Sequence, residues 1–130
     1  MAYTTIDDGS AYFQTAIYSG TGSNQSITND GNSDLQPDFV WVKCRQDDSG
    51  AGHRLTDSSR LSSGAPTLTL QANSNAVEFD DNVASGSAAT TAFNSDGFSI
   101  GTNGNYNTDG DTYVAWQWKA NGGTRTTNTE

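Results

Sequence analysis

Short segments in which apolar and polar side chains alternate residue by residue, separated by clusters of turn formers, are the feature that most restricts this 130-residue chain. Alternation with period two is the pattern of a strand that turns one face to a core. The clearest case is Tyr113-Val114-Ala115-Trp116-Gln117-Trp118-Lys119, which sets Val114, Trp116 and Trp118 on one face and Tyr113, Ala115, Gln117 and Lys119 on the other. Their bulk makes Trp116 and Trp118 the expected core anchors. Phe39 to Arg45 divides in the same way, Val40, Val42 and Cys44 against Phe39, Trp41, Lys43 and Arg45, and both faces begin apolar. Tyr12 to Tyr18 groups Phe13, Thr15 and Ile17 and stops at Ser19-Gly20-Thr21-Gly22. Shorter strands are expected at Gln25–Thr28, His53–Asp57, Thr67–Leu70, Ala76–Phe79 and Phe98–Gly101. Phe93 would pair beside Phe98 across a tight turn at Asn94-Ser95-Asp96-Gly97, where glycine tolerates a positive φ. About nine strands without any helical period predict an all-β fold, a two-sheet antiparallel β-sandwich of jelly-roll or concanavalin-like lectin type. The pattern does not give the strand order.

A chain of this length suits one domain, residues 1–120, with a polar tail or linker at 121–130 that carries no apolar side chain. Only 32% of residues are hydrophobic, so three Trp, five Tyr and five Phe must supply much of the buried area. With Cys44 as the sole cysteine, an internal disulfide and a cysteine-based metal cluster are both excluded. The formal charge of −9 repels phosphate backbones and anionic lipid, so neither nucleic acid nor membrane is an expected partner. The start of the chain has no basic, apolar leader, and no apolar run approaches membrane-span length, so synthesis in a cytosol is expected. Four of the six basic residues, Lys43, Arg45, Arg54 and Arg60, cluster with the sole histidine, His53. They form a candidate positive patch for a carboxylate-bearing partner.

Three constellations bear on chemistry. His53, Asp57 and the serines Ser58 and Ser59 contain the parts of a hydrolase triad. On an extended strand, however, His53 and Asp57 stand roughly 13 Å apart, and no Gly-x-Ser-x-Gly elbow presents a nucleophile. Glu78, Asp80 and Asp81 contain the two acids a glycosidase requires, but a chain with fifteen acidic residues contains such pairs by chance. Asn105, Asn107, Asp109 and Asp111 space oxygen side chains two apart around Gly110, like the first half of a calcium loop. Trp116 then stands where the bidentate acid belongs, so the segment reads as a turn feeding the last strand, with calcium binding as the alternative. No other cofactor is expected.

Several stretches together resemble a domain recurring in virion structural and fibre-like proteins of marine tailed bacteriophages, the cyanophage and pelagiphage type. They are Tyr18-Ser19-Gly20-Thr21-Gly22, Leu35 to Arg45, His53 to Ser63, Phe93 to Gly101, and Tyr113 to Ala120. The resemblance spans most of the chain. It implies a non-enzymatic structural protein at the virion surface, made in the host bacterial cytoplasm: a head-decoration, cement or fibre subunit. Such a subunit docks on other capsid or tail proteins or forms a homo-oligomer. It supplies no catalytic residue. In two respects the chain departs from the pattern: the glycine that often follows the arginine after Asp57-Ser58 is absent, and the chain ends soon after Ala120, where longer relatives continue. A free-standing decoration or small fibre piece is therefore expected. The alternative is a lectin-like receptor-binding module for host-surface glycans, in which Tyr106 and Tyr113 stack on sugar rings.

Overall fold

The computed structural model describes residues 6–46, 50–82 and 87–120, and within them lie nine strands, one short α-helix and a 3-10 turn at Gly9–Ala11. The strands are β1 (Phe13–Ser19), β2 (Gln25–Ile27), β3 (Phe39–Cys44), β4 (Arg54–Asp57), β5 (Leu68–Gln71), β6 (Phe79–Asp80), β7 (Thr90–Phe93), β8 (Phe98–Ile100) and β9 (Thr112–Trp118). Helix α1 is the single turn Gly104–Asn107. Two antiparallel sheets form a β-sandwich, the larger in the order β1-β9-β3-β4-β5-β6 and the smaller in the order β2-β8-β7. The polar tail expected at 121–130 lies outside the described residues. The strand expected over Ala76–Phe79 forms only as the two-residue β6, Phe79–Asp80.

Strand β9 lies between β1 and β3 and pairs along its length with both, from Phe13↔Trp118 to Ser19↔Thr112 on one side and from Phe39↔Trp118 to Cys44↔Tyr113 on the other. The core lies between the sheets. Val40, Val42 and Cys44 of β3 and Tyr113 and Ala115 of β9 meet Ile27, Phe98 and Ile100 from the smaller sheet. Tyr18 joins the two layers, stacked on Tyr113 at 5.2 Å and edge-on to Phe98 at 6.3 Å. The β7–β8 hairpin closes at the expected turn, with Asn94 N–H donating to the Gly97 carbonyl at 2.9 Å. Gly97 takes φ +91°, and a Cβ there would sit 1.9 Å from the Ile27 carbonyl oxygen, so both backbone conformation and space demand glycine.

The facing of β9 corrects the expectation from bulk. Tyr113, Ala115 and Gln117 are fully buried, whereas Trp116 and Trp118 are half-buried on the side away from the smaller sheet. Alternation sorts side chains into two faces but does not say which one the second sheet covers. Here the inner side supplies partners for the Tyr113 hydroxyl, which donates to the Gly104 carbonyl at 2.8 Å and accepts from Thr108 N–H at 2.9 Å. In β1 the inward residues are Gln14, Ala16 and Tyr18, and the group Phe13, Thr15 and Ile17 faces out. The division of β3 agrees with the sequence reading.

Phe98→Ala, which empties a fully buried site, should lower the unfolding free energy by about 3–5 kcal/mol. Trp116→Ala should lower it by only about 2 kcal/mol, in keeping with a half-buried ring. Urea unfolding in dilute solution compares the two, and equal losses would contradict this orientation of β9.

Candidate functional site

The registers of the larger sheet lay its outward side chains in rows perpendicular to the strands. The middle row runs Thr15, Trp116, Trp41, Leu55, Leu70 across β1, β9, β3, β4 and β5. On one side of it lies the row Phe13, Trp118, Phe39, Asp57, and on the other Ile17, Val114, Lys43, with His53 beside Lys43 where the chain enters β4. Ring contacts knit the rows: Phe13–Trp118 at 5.1 Å, Phe39–Trp118 at 5.3 Å, Trp41–Trp116 at 5.3 Å and Trp41–His53 at 5.7 Å. Among the described residues no element packs over this face. Phe13 is 41% exposed, Ile17 66% and Leu70 38%. A contiguous aromatic and aliphatic surface of this kind marks a contact site more often than a solvated face. The ring pairs are tilted at 48–59°, so they present no common plane on which a pyranose could lie. A corrugated apolar surface suits interdigitating protein side chains.

The residues singled out from the sequence part ways in the structure. Tyr106 and Tyr113, the expected sugar platforms, are fully buried. Their hydroxyls serve the fold: Tyr113 brackets α1, and Tyr106 meets Thr69 Oγ1 at 3.3 Å. Burial raises the pKa of both phenols, for Tyr106 with a further contribution from the Asp81 charge. The positive patch is divided. Lys43 and His53 lie on the outer face and Arg45 is exposed just past β3, but Arg54 points inward, buried against Asp81 (3.4 Å) and over the Phe79 ring. Arg60 is held by Asp57 at 2.6 Å and Glu78 at 2.7 Å.

The calcium candidates do not act as a set either. Asn107 is buried, and its side-chain oxygen already accepts from Thr21 N–H at 2.8 Å and Gln25 Nε2 at 2.7 Å. Its Nδ2 donates to the carbonyls of Ser23 and Gly101 at 2.6 and 2.7 Å, which completes the capacity of the amide. Asn105 bonds Asn103 beside α1, Asp109 is exposed in the following turn, and Asp111 lies near the Cys44 thiol. The hydrolase parts stay apart as well. Ser58 donates to Asp38, Asp57 caps the Ser59 and Arg60 amides, and Leu55 separates His53 from Asp57 along β4. Of the three glycosidase candidates, Asp81 pairs with Arg54 and Glu78 with Arg60.

The outer face itself was legible only in part. Both rows of bulky residues follow from alternation, but their common exposure depends on which side the smaller sheet takes.

Residues 8–130 match the model of a domain of unknown function, DUF7483. The chain belongs to the DUF7483 family. No curated protein and no solved structure matches it.

A second recess of this DUF7483 domain is an open groove of about 310 Å³ between the free edges of β1 and β2, walled by residues 15–19 and 25–28 with Asp30. Unpaired sheet edges of this kind accept an extended segment from another chain.

Two expected outcomes follow from these surroundings. Arg54→Met leaves the Asp81 carboxylate buried without its cation and should cost about 3–5 kcal/mol, most of it recovered when Asp81→Asn is added. Thermal unfolding of the single and double variants checks this. Burial, and then the Lys43 charge, hold the His53 pKa below the usual histidine value. The unfolded chain therefore takes up the proton first, and stability falls as pH drops through about 6.5 toward the folded-state pKa. Because His53 is the sole histidine, its imidazole resonance is unambiguous by NMR; its midpoint should lie below 6.5 and rise in Lys43→Met.

Proposed function

We propose that this chain is a non-enzymatic structural protein of a tailed-bacteriophage particle, a head-decoration, cement or fibre subunit that docks on neighbouring protein subunits at the virion surface. The observation that carries the reading is the uncovered aromatic face of the larger sheet, built from Trp41, Trp116, Trp118, Phe39 and Phe13. Leaving three tryptophans half-buried is costly in water and is offset only when a partner covers them. The free edges beside the β1–β2 groove add a second place where a neighbouring chain can attach. The resemblance to marine-phage virion domains supports the same role, with synthesis in the host bacterial cytoplasm as part of the proposal.

The receptor-binding alternative has less behind it. Tyr106 and Tyr113, which it needs at the surface, are inside, and the exposed rings are tilted against one another. The acids and serines that an enzyme would use are engaged in ion pairs and turn-closing hydrogen bonds.

Antibody raised against the folded domain should decorate intact particles in negative-stain micrographs, and the protein should sediment with particles from an infected lysate. A protein that stays in the supernatant, with unlabelled particles, would sink the proposal. Specific binding on a glycan array would move the reading to the receptor-binding class.

A further inference from the structure

We infer that the aromatic face of the larger sheet is the contact between two copies of this chain, packed face to face about a two-fold axis that runs along the row Thr15, Trp116, Trp41, Leu55, Leu70. The inference rests on reading this face as an assembly surface and goes beyond it by naming the occupant.

The first argument is complementarity of charge and bulk. The rows on either side of the middle row differ in kind: one holds Phe13, Trp118, Phe39 and Asp57, and the other Ile17, Val114, Lys43 and His53. A two-fold axis along the middle row lays the first row of one copy over the second row of the other. Asp57, which with Arg60 and Glu78 forms a cluster of two carboxylates and one guanidinium, then faces His53 and lies diagonal to Lys43, while Phe39 lies over Lys43, so the net acidic corner of each copy meets the Lys43 side of its mate. Trp118 meets Val114 and Phe13 meets Ile17, the bulkier ring over the smaller aliphatic. A two-fold axis along β3 instead sets Lys43 against Lys43, which like charge disfavours. A self-complementary patch of this kind is what an isologous dimer requires.

The second argument is area. β1 and β9 have seven residues each, β3 six, and β4 and β5 four each, so at about 4.8 Å spacing and about 3.3 Å rise the face is roughly 440 Å² in projection. Two such faces remove on the order of 900 Å² from water, the size of a weak, transient interface. Packed sheets lie about 10 Å apart with strands within about 30° of parallel, a geometry the twist of the larger sheet permits. The dimer is therefore a modest one that fills as concentration rises.

Light scattering across a protein concentration series, on the full chain, tests the inference. The wild-type chain should pass from monomer to dimer, with no larger species. Ile17→Lys and Leu70→Lys, at opposite corners of the face, should each raise the dissociation constant about tenfold or more. Val77→Lys, at a site 83% exposed and outside these rows, should leave it unchanged. Ile17 and Leu70 are exposed in the monomer, so both variants keep the fold, and circular dichroism at low concentration confirms it. Lys43→Met should weaken the dimer, because it removes attraction to the mate's Asp57. A chain that stays monomeric throughout overturns the inference while leaving attachment to other virion subunits open to particle labelling. A dimer indifferent to Ile17→Lys and Leu70→Lys, or strengthened by Lys43→Met, overturns it equally.

Discussion

Strand β9 is the constraint on which the rest of the molecule is hung. It carries the ladders to β1 and to β3, which are joined to each other by no direct pairing, so the larger sheet exists only once the end of the described chain has been laid between its beginning and its middle. Its first inward residue, Tyr113, then fixes α1 through its hydroxyl, and α1 presents Asn107 to the segment that follows β1. Gly20 lies so close there that a Cβ would stand 2.0 Å from the Thr108 carbonyl oxygen.

The larger sheet is unusual in which side it spends its aromatic residues on. Its inner face includes Gln14, Arg54, Thr56, Thr69 and Gln117 beside the aliphatic core, and the interior therefore depends on paired polar groups such as Arg54 with Asp81 and Asn103 with Asp81. The outer face holds all three tryptophans. Buried polar pairs give a core directionality at some expense of stability, while the outward rings keep part of their apolar area in water. The two faces thus differ in kind: the inner one carries the paired polar groups of the fold, and the outer one carries the tryptophans.

The stretches that carry the resemblance to phage virion domains contain strands β3, β4 and β8 and nearly all of β9, together with residues that close turns and join elements. Asp38 binds Ser58 and the Ala120 amide, Asp57 caps the amides of Ser59 and Arg60, Gly97 permits the β7–β8 turn, and Gly20 permits the approach to Thr108. Residues with such roles transmit a fold.

Most of the strands, the β7–β8 turn and the facing of β3 were present in the sequence, since they depend on local periodicity and on the φ that only glycine takes freely. Strand β7 beyond Phe93 was not, and the strand expected at Ala76–Phe79 pairs only from Phe79. Periodicity also sorted β9 into its two sets. It could not assign the sets to inside and outside, nor show that Arg54 turns inward from a basic cluster, because both depend on where a second sheet, formed by residues far along the chain, comes to rest. The same holds for Tyr106, which stands among polar neighbours in the sequence and is fully buried in α1. What the sequence by itself determined is a set of two-faced strands and their turns; the tertiary structure alone decided which face is buried, because burial is a property of packed layers and not of any one segment.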